Sequence, residues 1–453
     1  MSQNLRGKLT AKVVAKGGKR MHTWRWTVVV MSITLLCLWH LSPTQTDEIE
    51  KGRSLYLRHC AVCHGERGKG DGPLAKFVNP PVTDLTEGVF KFRSTPSGTL
   101  PTDEDLRRTI SEGVPSTPMI GLKGVLGDEE IDAIIAFIKT LCPDFQTKGS
   151  GIPISINPPK LTPELLKQGR QIYSEFQCDT CHGPKGDGDG PMAKTLKDNK
   201  GRPIRILSFR DARNFKGGHN PMDIYRSIMS GLDGTPMASF SEVLTEEEGW
   251  AVAYFVHSLI EKKTVPQRSN ITVKAMKRGD GSPSTVNAVW VKVPTFDLPL
   301  QSLWRANDPK SVRVQVVRDS QWLVFRLNYS DKTRNDKGKL LDSVAVQIPQ
   351  NPQSPIPSIF WGDYQSPVLV FQWVAGNKLT VFTARGIGNR SIQTFDAKGQ
   401  GVWQRGQWTV TIQMRPPSVL SRLPFSVSVW DAGSGDQGER RSITGWHWLE
   451  LSP

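Results

Sequence analysis

The sequence predicts two copies of an all-α domain followed by an all-β antiparallel sandwich, with an N-terminal membrane anchor ahead of them. Three observations lead there. A turn-rich word, CHGERGKGDGPLAK at 63–76, returns as CHGPKGDGDGPMAK at 181–194. Each copy is framed by segments whose apolar residues recur at helical spacing. Beyond residue 263 the apolar period falls from 3.6 to 2, in short runs separated by polar turns. At 453 residues the chain exceeds what one core serves, and three domains plus a leader fit the usual size range.

Residues 1–46 carry seven Lys or Arg and no acid before Asp47 and Glu48. Within them, 26–41 (WTVVVMSITLLCLWHL) is uncharged when His40 is neutral. It is short for a spanning helix and long for a signal core. The basic flank before it and the acids after it orient residues 47–453 to the periplasmic side. The expectation is an uncleaved signal anchor through 26–41; a cleaved signal peptide with a soluble periplasmic product is the alternative. The leader also discounts the net charge of +15, leaving about +8 for the remainder. That excess can steer an acidic redox partner. No nucleic-acid motif accompanies it, so no nucleic-acid partner is expected.

Cys60 and Cys63 precede His64, and Cys178 and Cys181 precede His182, both as C-x-x-C-H. That spacing brings two thiols to the two vinyl groups of one haem, with the adjacent imidazole under the iron. A zinc ribbon would want the two pairs closer together, and a thioredoxin-like dithiol needs no adjoining histidine. Cys37 and Cys142 remain, far apart in sequence, and imply no disulfide framework.

The repeat runs on at an offset of 118 residues: Thr117-Pro118-Met119 aligns with Thr235-Pro236-Met237, and LGDEEIDAIIAFIKTL (126–141) with LTEEEGWAVAYFVHSL (244–259). Upstream, KGRSLYLRH (51–59) matches KQGRQIYSEFQ (167–177) with a one-residue slip. The order is helix, attachment motif, glycine loop, short helix, Thr-Pro-Met, closing helix. It is similar to class I cytochromes c, over 47–145 and again over 161–263, with 146–160 as a Gly/Pro-rich linker. The resemblance implies two covalently bound haem c groups, His64 and His182 as proximal iron ligands, and Met119 and Met237 as distal ones. A thioether is soft and neutral and raises the potential relative to a second histidine. Met222 and Met229 are rivals in the second copy only; His59, His219 and His257 also lack counterparts and read as packing or surface histidines.

From 264 to 453, runs such as SVRVQVV (311–317), WLVFRLNY (322–329), SVAVQI (343–348), PVLVFQW (367–373), KLTVFTA (378–384), QWTVTIQM (407–414) and PFSVSVWD (424–431) alternate as half-buried strands. Most of the fourteen tryptophans lie here. The word order, including FWGDYQSPVLVFQW, GVWQRGQWTVTIQM and GWHWLEL, resembles the haem b-binding domain of ethylbenzene dehydrogenase-type gamma subunits. Those subunits serve periplasmic molybdopterin enzymes, among them selenate reductases and nitrite oxidoreductase. In that family haem b is held by one Met and one Lys. The lysine falls at or near Lys398, but the methionine position holds Trp361. Two readings stay open: a haem b with another distal group, or a sandwich that only docks.

Six-coordinate haem leaves no open position for substrate, so no catalytic residue is assigned. The expected function is a periplasmic, membrane-anchored dihaem electron-transfer subunit with redox-protein partners, molybdopterin/iron–sulfur subunits foremost. A dihaem peroxidase-like enzyme and a ligand-binding sandwich are the rivals.

Overall fold

The computed structural model describes residues 43–262, 265, 267–278, 290–305, 310–376, 378–416 and 421–451. The expected anchor at 26–41 and Cys37 lie outside the described residues. Among the described residues no helix is long and apolar enough to cross a membrane. The chain divides into two units, Met1–Glu48 and Ile49–Pro453. The second holds all the described strands and all the described helices, save the start of the first helix.

The first cytochrome-like domain contains α1 (Pro43–His59), α2 (Ala61–His64), α3 (Asp103–Glu112), α4 (Asp128–Leu141) and the single turn α5 (Asp144–Thr147). The second contains α6 (Pro163–Glu175), α7 (Cys178–His182), α8 (Pro221–Ser230) and α9 (Glu246–Ser258). Helix starts follow local chemistry. Thr102 with Asp105 and Thr245 with Glu248 form reciprocal capping boxes, and Thr162 and Asn220 each accept one first-turn N–H. At Gly127 only half of that device operates, the Glu130 carboxylate accepting the Gly127 N–H at 2.9 Å.

In each domain the first helix crosses the last where the first has no side chain. A Cβ on Gly52 would lie 1.8 Å from the Ala133 carbonyl oxygen, and one on Gly169 1.9 Å from that of Ala251. The backbones meet because these positions are glycine. One turn on, Tyr56 packs on Phe137 at 5.1 Å between ring centroids, and Tyr173 on Phe255 at 5.2 Å. The apolar faces of α4 (Ile131, Ile134, Ile135, Ile138) and α9 (Val252, Phe255, Val256) fill the two cores.

The C-terminal region is all β: β1 (Thr272–Lys277), β2 (Phe296–Ser302), β3 (Lys310–Arg318), β4 (Leu323–Ser330), β5 (Ser343–Pro349), β6 (Val368–Val374), β7 (Lys378–Ala384), β8 (Arg390–Ile392), β9 (Ala397–Gln404), β10 (Gln407–Met414), β11 (Arg422–Trp430), β12 (Ser442–Ile443) and β13 (His447–Leu451). One layer runs β8-β7-β6-β5-β11 and the other β9-β10-β4-β3, joined along one side through β12–β2 and through β13–β1. The expected antiparallel sandwich is therefore corrected at its seam: β1 pairs in parallel with both β13 and β3. Its core is built from alternating residues such as Val314, Phe325, Val346, Phe371, Val410 and Phe425.

Strand β9, which its glycines hide from a periodicity reading, exists because of them. A Cβ on Gly401 would lie 2.3 Å from the Trp373 ring, so the bare backbone lets that indole fill the gap between layers.

Gly52→Ala or Gly169→Ala forces the crossing helices apart and is expected to destabilise its own domain by at least about 1–3 kcal/mol, as overpacking does. Denaturant melts followed by helical circular dichroism read it. Gly149→Ala provides the control, since nothing lies within 4 Å of the added carbon there and only its positive φ is strained.

Candidate functional site

Each attachment motif is a single helical turn at the end of the crossing helix. His64 N donates to Cys60 O at 2.9 Å, and Gly65 N to Ala61 O at 2.8 Å. The glycine loop then folds back under that turn. Gly70 N donates to His64 O and Gly188 N to His182 O, both at 2.8 Å. A Cβ on Gly72 would lie 2.4 Å from Ala61 O, and one on Gly190 2.3 Å from Thr180 O. The loop recurs because each copy must lie flat against an attachment turn. The tyrosines of the helix crossing complete the arrangement, Tyr56 Oη donating to Gly65 O and Tyr173 Oη to Gly183 O, both at 2.8 Å.

Cys60, Cys63, Cys178 and Cys181 are unbridged. Burial pushes the Cys60 and Cys63 thiols up to about 12 and Cys178 up to about 11. No thiolate is stabilised at these three positions, which argues against a reactive dithiol at the first pair. Burial also lowers His64, and lowers His182 to about 4, so both imidazoles are neutral and competent as iron ligands. His64 Nδ1 lies 3.1 Å from Thr83 O, a donor position that leaves the Nε2 lone pair free for a metal. His182 Nδ1 is buried with no hydrogen-bond partner among the described residues, and its ring stacks on Phe209 at 4.6 Å. Two thiols, a neutral imidazole and a bare glycine loop fit haem c in both domains. When bound, the haem would supply one-electron chemistry, and these residues would attach it and hold its proximal side.

The two Thr-Pro-Met segments adopt the same turn. In the first, Met119 N donates to Thr117 Oγ1 (3.2 Å), Thr117 Oγ1 to Val114 O (2.8 Å) and Val114 N to Met119 O (2.9 Å). In the second, Met237 N, Thr235 Oγ1 and Leu232 N repeat the pattern at 3.2, 2.7 and 2.9 Å. Met119 and Met237 are half-buried. Of the rivals, Met222 is exposed and Met229 packs in the core beside Tyr225.

Among the described residues, an arginine fork grips the first turn and has no equivalent at the second. Arg268 Nη2 donates to Met119 O at 2.9 Å and Val114 O at 3.0 Å, and Nη1 to Thr117 O at 3.1 Å. Ser269 Oγ donates to Gly121 O at 3.2 Å. These residues lead into the sandwich, which thus closes on the first cytochrome-like domain. Cys63, Val62, Leu74 and Phe77 share an apolar cluster with Leu303, Phe360 and Ile443, and Arg58 pairs with Asp363 at 3.3 Å. The two helical domains meet through Arg93, whose Nη2 donates to Ser230 O and Asp233 Oδ1, both at 2.7 Å.

Haem b is not supported at Lys398 and Trp361 by the places these residues take in the fold. Lys398 is exposed on the edge strand β9, where alternate side chains face outward, so the desolvated lysine that ligation needs is not provided. Trp361 is wholly buried. It stacks on Trp430 at 6.1 Å, lies under the Arg441 guanidinium at 4.1 Å and donates Nε1–H to Glu439 at 2.8 Å.

Arg93, Asp233 and Arg268 join the domains, yet no motif in the sequence marks them. Arg93 and Asp233 lie inside the two copies but in stretches that the repeated words do not match, and Arg268 lies beyond both, so being unmatched is their only signal.

Residues 49–142 and 166–259 each match the family model for cytochrome c. Among curated proteins, the chain is similar to the cbb3-type cytochrome c oxidase subunit CcoP of Azospirillum brasilense, 23% identical over 236 residues, covering 48% of this chain and 68% of that one. The FixP subunit of Rhizobium meliloti is 24% identical over 155 residues, covering 34% and 46% respectively. Among solved structures, the reducing HAO-like protein complex of Kuenenia stuttgartiensis matches at 39% identity over 47% of this chain and 96% of that chain, with a TM-score of 0.45.

Replacing Arg268 by Ala removes a charged donor from three carbonyls at once. The expected loss is about 3 kcal/mol in a denaturant melt followed at the haem absorbance. Limited proteolysis is expected to open first near 114–121 and to spare the equivalent turn at 232–239.

Proposed function

We propose that this chain, whose residues 49–142 and 166–259 are two tandem cytochrome c domains, is a dihaem electron-transfer subunit of a respiratory redox complex. His64 and Met119 would ligate one iron, His182 and Met237 the other. The observation that carries this reading is the recurrence of the whole set: attachment turn, neutral histidine and an identically bonded Thr-Pro-Met turn in each domain. Two filled coordination shells leave no position for oxygen or peroxide, so the chain relays single electrons and lets a partner do the chemistry.

The sandwich is the docking element of that subunit, on the periplasmic side. Its word order favours a molybdopterin/iron–sulfur partner of the ethylbenzene dehydrogenase type. A second reading, a place in a terminal oxidase complex, is favoured by the CcoP and FixP matches, whose names assign those relatives to cbb3-type oxidases. Co-purification from native membranes separates the two by whether a molybdopterin enzyme or a cytochrome c oxidase accompanies the chain.

Met119→Ala and Met237→Ala are each expected to abolish the near-infrared thioether-to-ferric-iron band of one haem and lower that haem's potential, leaving the other unchanged. Redox titration of the single and double variants checks this. A band that survives in the double variant assigns the sixth ligands elsewhere. Pyridine haemochrome spectra of the purified protein are expected to show two haem c and no haem b. One extractable haem b per chain would remove the pure docking role.

A further inference from the structure

One corner of the sandwich gathers more negative charge than its surroundings neutralise. Asp331 follows β4, Asp342 precedes β5 and Asp431 follows β11, and one carboxylate oxygen from each lies within 4.8 Å of the others. All three are buried, at 2%, 0% and 7% exposure. Lys310 Nζ, 2.5 Å from Asp431 Oδ2, offsets one charge.

The lone pairs can be counted, since a carboxylate has about four acceptor sites. Asp342 accepts from Asn335 N, Trp408 Nε1 and Ala432 N. Asp431 accepts from Ser434 N, Ser434 Oγ and Lys310. Asp331 uses only Oδ1, for Thr333 N and Oγ1, and its Oδ2 is buried with no partner among the described residues. Each carboxylate therefore keeps acceptor capacity that these donors do not fill.

A fourth group, from outside the acid set, points the same way. Tyr329 is 4% exposed, and its hydroxyl has no hydrogen-bond partner among the described residues. Its cross-strand neighbour on β10 is Trp408, whose N–H reaches Asp342 at 3.1 Å, so the two side chains share the face that leads to the acids. Orphaned buried polar atoms are rare in folded proteins and each calls for a partner.

We propose that Asp331, Asp342 and Asp431, with the Tyr329 hydroxyl beside them, bind a hard divalent cation of the calcium class. The donor set is all oxygen, as calcium prefers, and water completes the shell. A spread of 4.8 Å fits two calcium–oxygen bonds of roughly 2.3–2.6 Å meeting at one ion. A bound cation would tie together three segments distant in sequence: the loop after β4, the start of β5 and the turn after β11. The last of these reaches the cytochrome side, because Asp436 accepts from Trp304 Nε1 at 2.7 Å and the adjacent Leu303 O accepts from Asn79 N at 3.0 Å.

The test uses the full haem-loaded chain, stripped with EDTA and dialysed. Terbium is added and its luminescence is excited through the tryptophans, Trp408 being in contact with Asp342; calcium then competes. Saturable one-site terbium emission displaced by calcium, with calcium raising the melting temperature of the sandwich, is the expected result. Asp331→Asn is expected to weaken terbium binding at least about tenfold and, without calcium, to melt no lower than the parent, because it relieves repulsion between buried acids. Asp396→Asn, an exposed acid of the same sandwich, is expected to change neither. Absence of terbium emission from the parent chain, with identical melts in calcium and EDTA, would overturn the proposal and leave Lys310 and protonation as the means of neutralisation. So would terbium emission that Asp331→Asn leaves unchanged.

Discussion

The close crossing of the first and last helices governs both cytochrome domains. With no side chain at Gly52 or Gly169, backbone packs on backbone at Ala133 and Ala251, and everything at the haem end is positioned from there. The crossing brings Tyr56 and Tyr173 onto the closing helices. Their hydroxyls reach the carbonyls of Gly65 and Gly183, immediately after the histidines of the attachment motifs. The attachment turns are thus held from one side by the crossing and from the other by the glycine loop. Rigid presentation of this kind is what a redox site needs, since a relay that reorganises little on gaining an electron passes it on readily.

On that common scaffold the two centres differ in what surrounds the proposed ligands. His64 has a backbone carbonyl at Nδ1, while His182 has a stacked phenyl ring and no acceptor among the described residues. The Met119 turn is clamped by a half-buried guanidinium from the segment entering the sandwich, a fork that the Met237 turn lacks among the described residues. Partners of the ligands tune metal sites as strongly as the ligands do. On the proposed His/Met ligation, the repeat would yield two sites of the same chemistry in unequal surroundings, the condition for a directional relay. A pair of identical domains would lack it.

Much of this is legible in the sequence, and the reason is physical. Covalent attachment needs a fixed spacing, close backbone approach needs glycine, and helix and strand need their periods. Each leaves a local trace, so the motifs, the helices and seven of the strands can be read directly. The contacts that join the domains leave none. Arg93 reaches Ser230 and Arg268 reaches Met119 across well over a hundred residues, and an arginine that makes a buried fork looks like any other arginine. Strand β9 escapes because its glycines, there to admit Trp373, erase the alternation. Lys398 marks a different limit: a matched word places a residue on a strand without saying which face it occupies.

Trp361 shows how burial decides between two uses of one sandwich. Strand β5 is buried along both faces, which a solvated outer sheet would not show. The inner face feeds the core between the layers. The outer face lies under Trp361, Trp430, Trp446 and Phe382, with Val125 of the first cytochrome domain packed against the same cluster. The space around position 361 is thus filled by indoles, ion-paired arginines and the neighbouring domain. Emptying it would open a cavity around Arg441, fully buried and bonded to Glu439, and losing a buried indole in this way costs about 3–5 kcal/mol. Tryptophan at position 361 and the docking of the first cytochrome domain are therefore two parts of one arrangement. The sandwich is filled at Trp361, and the same cluster takes in Val125 of the first cytochrome domain.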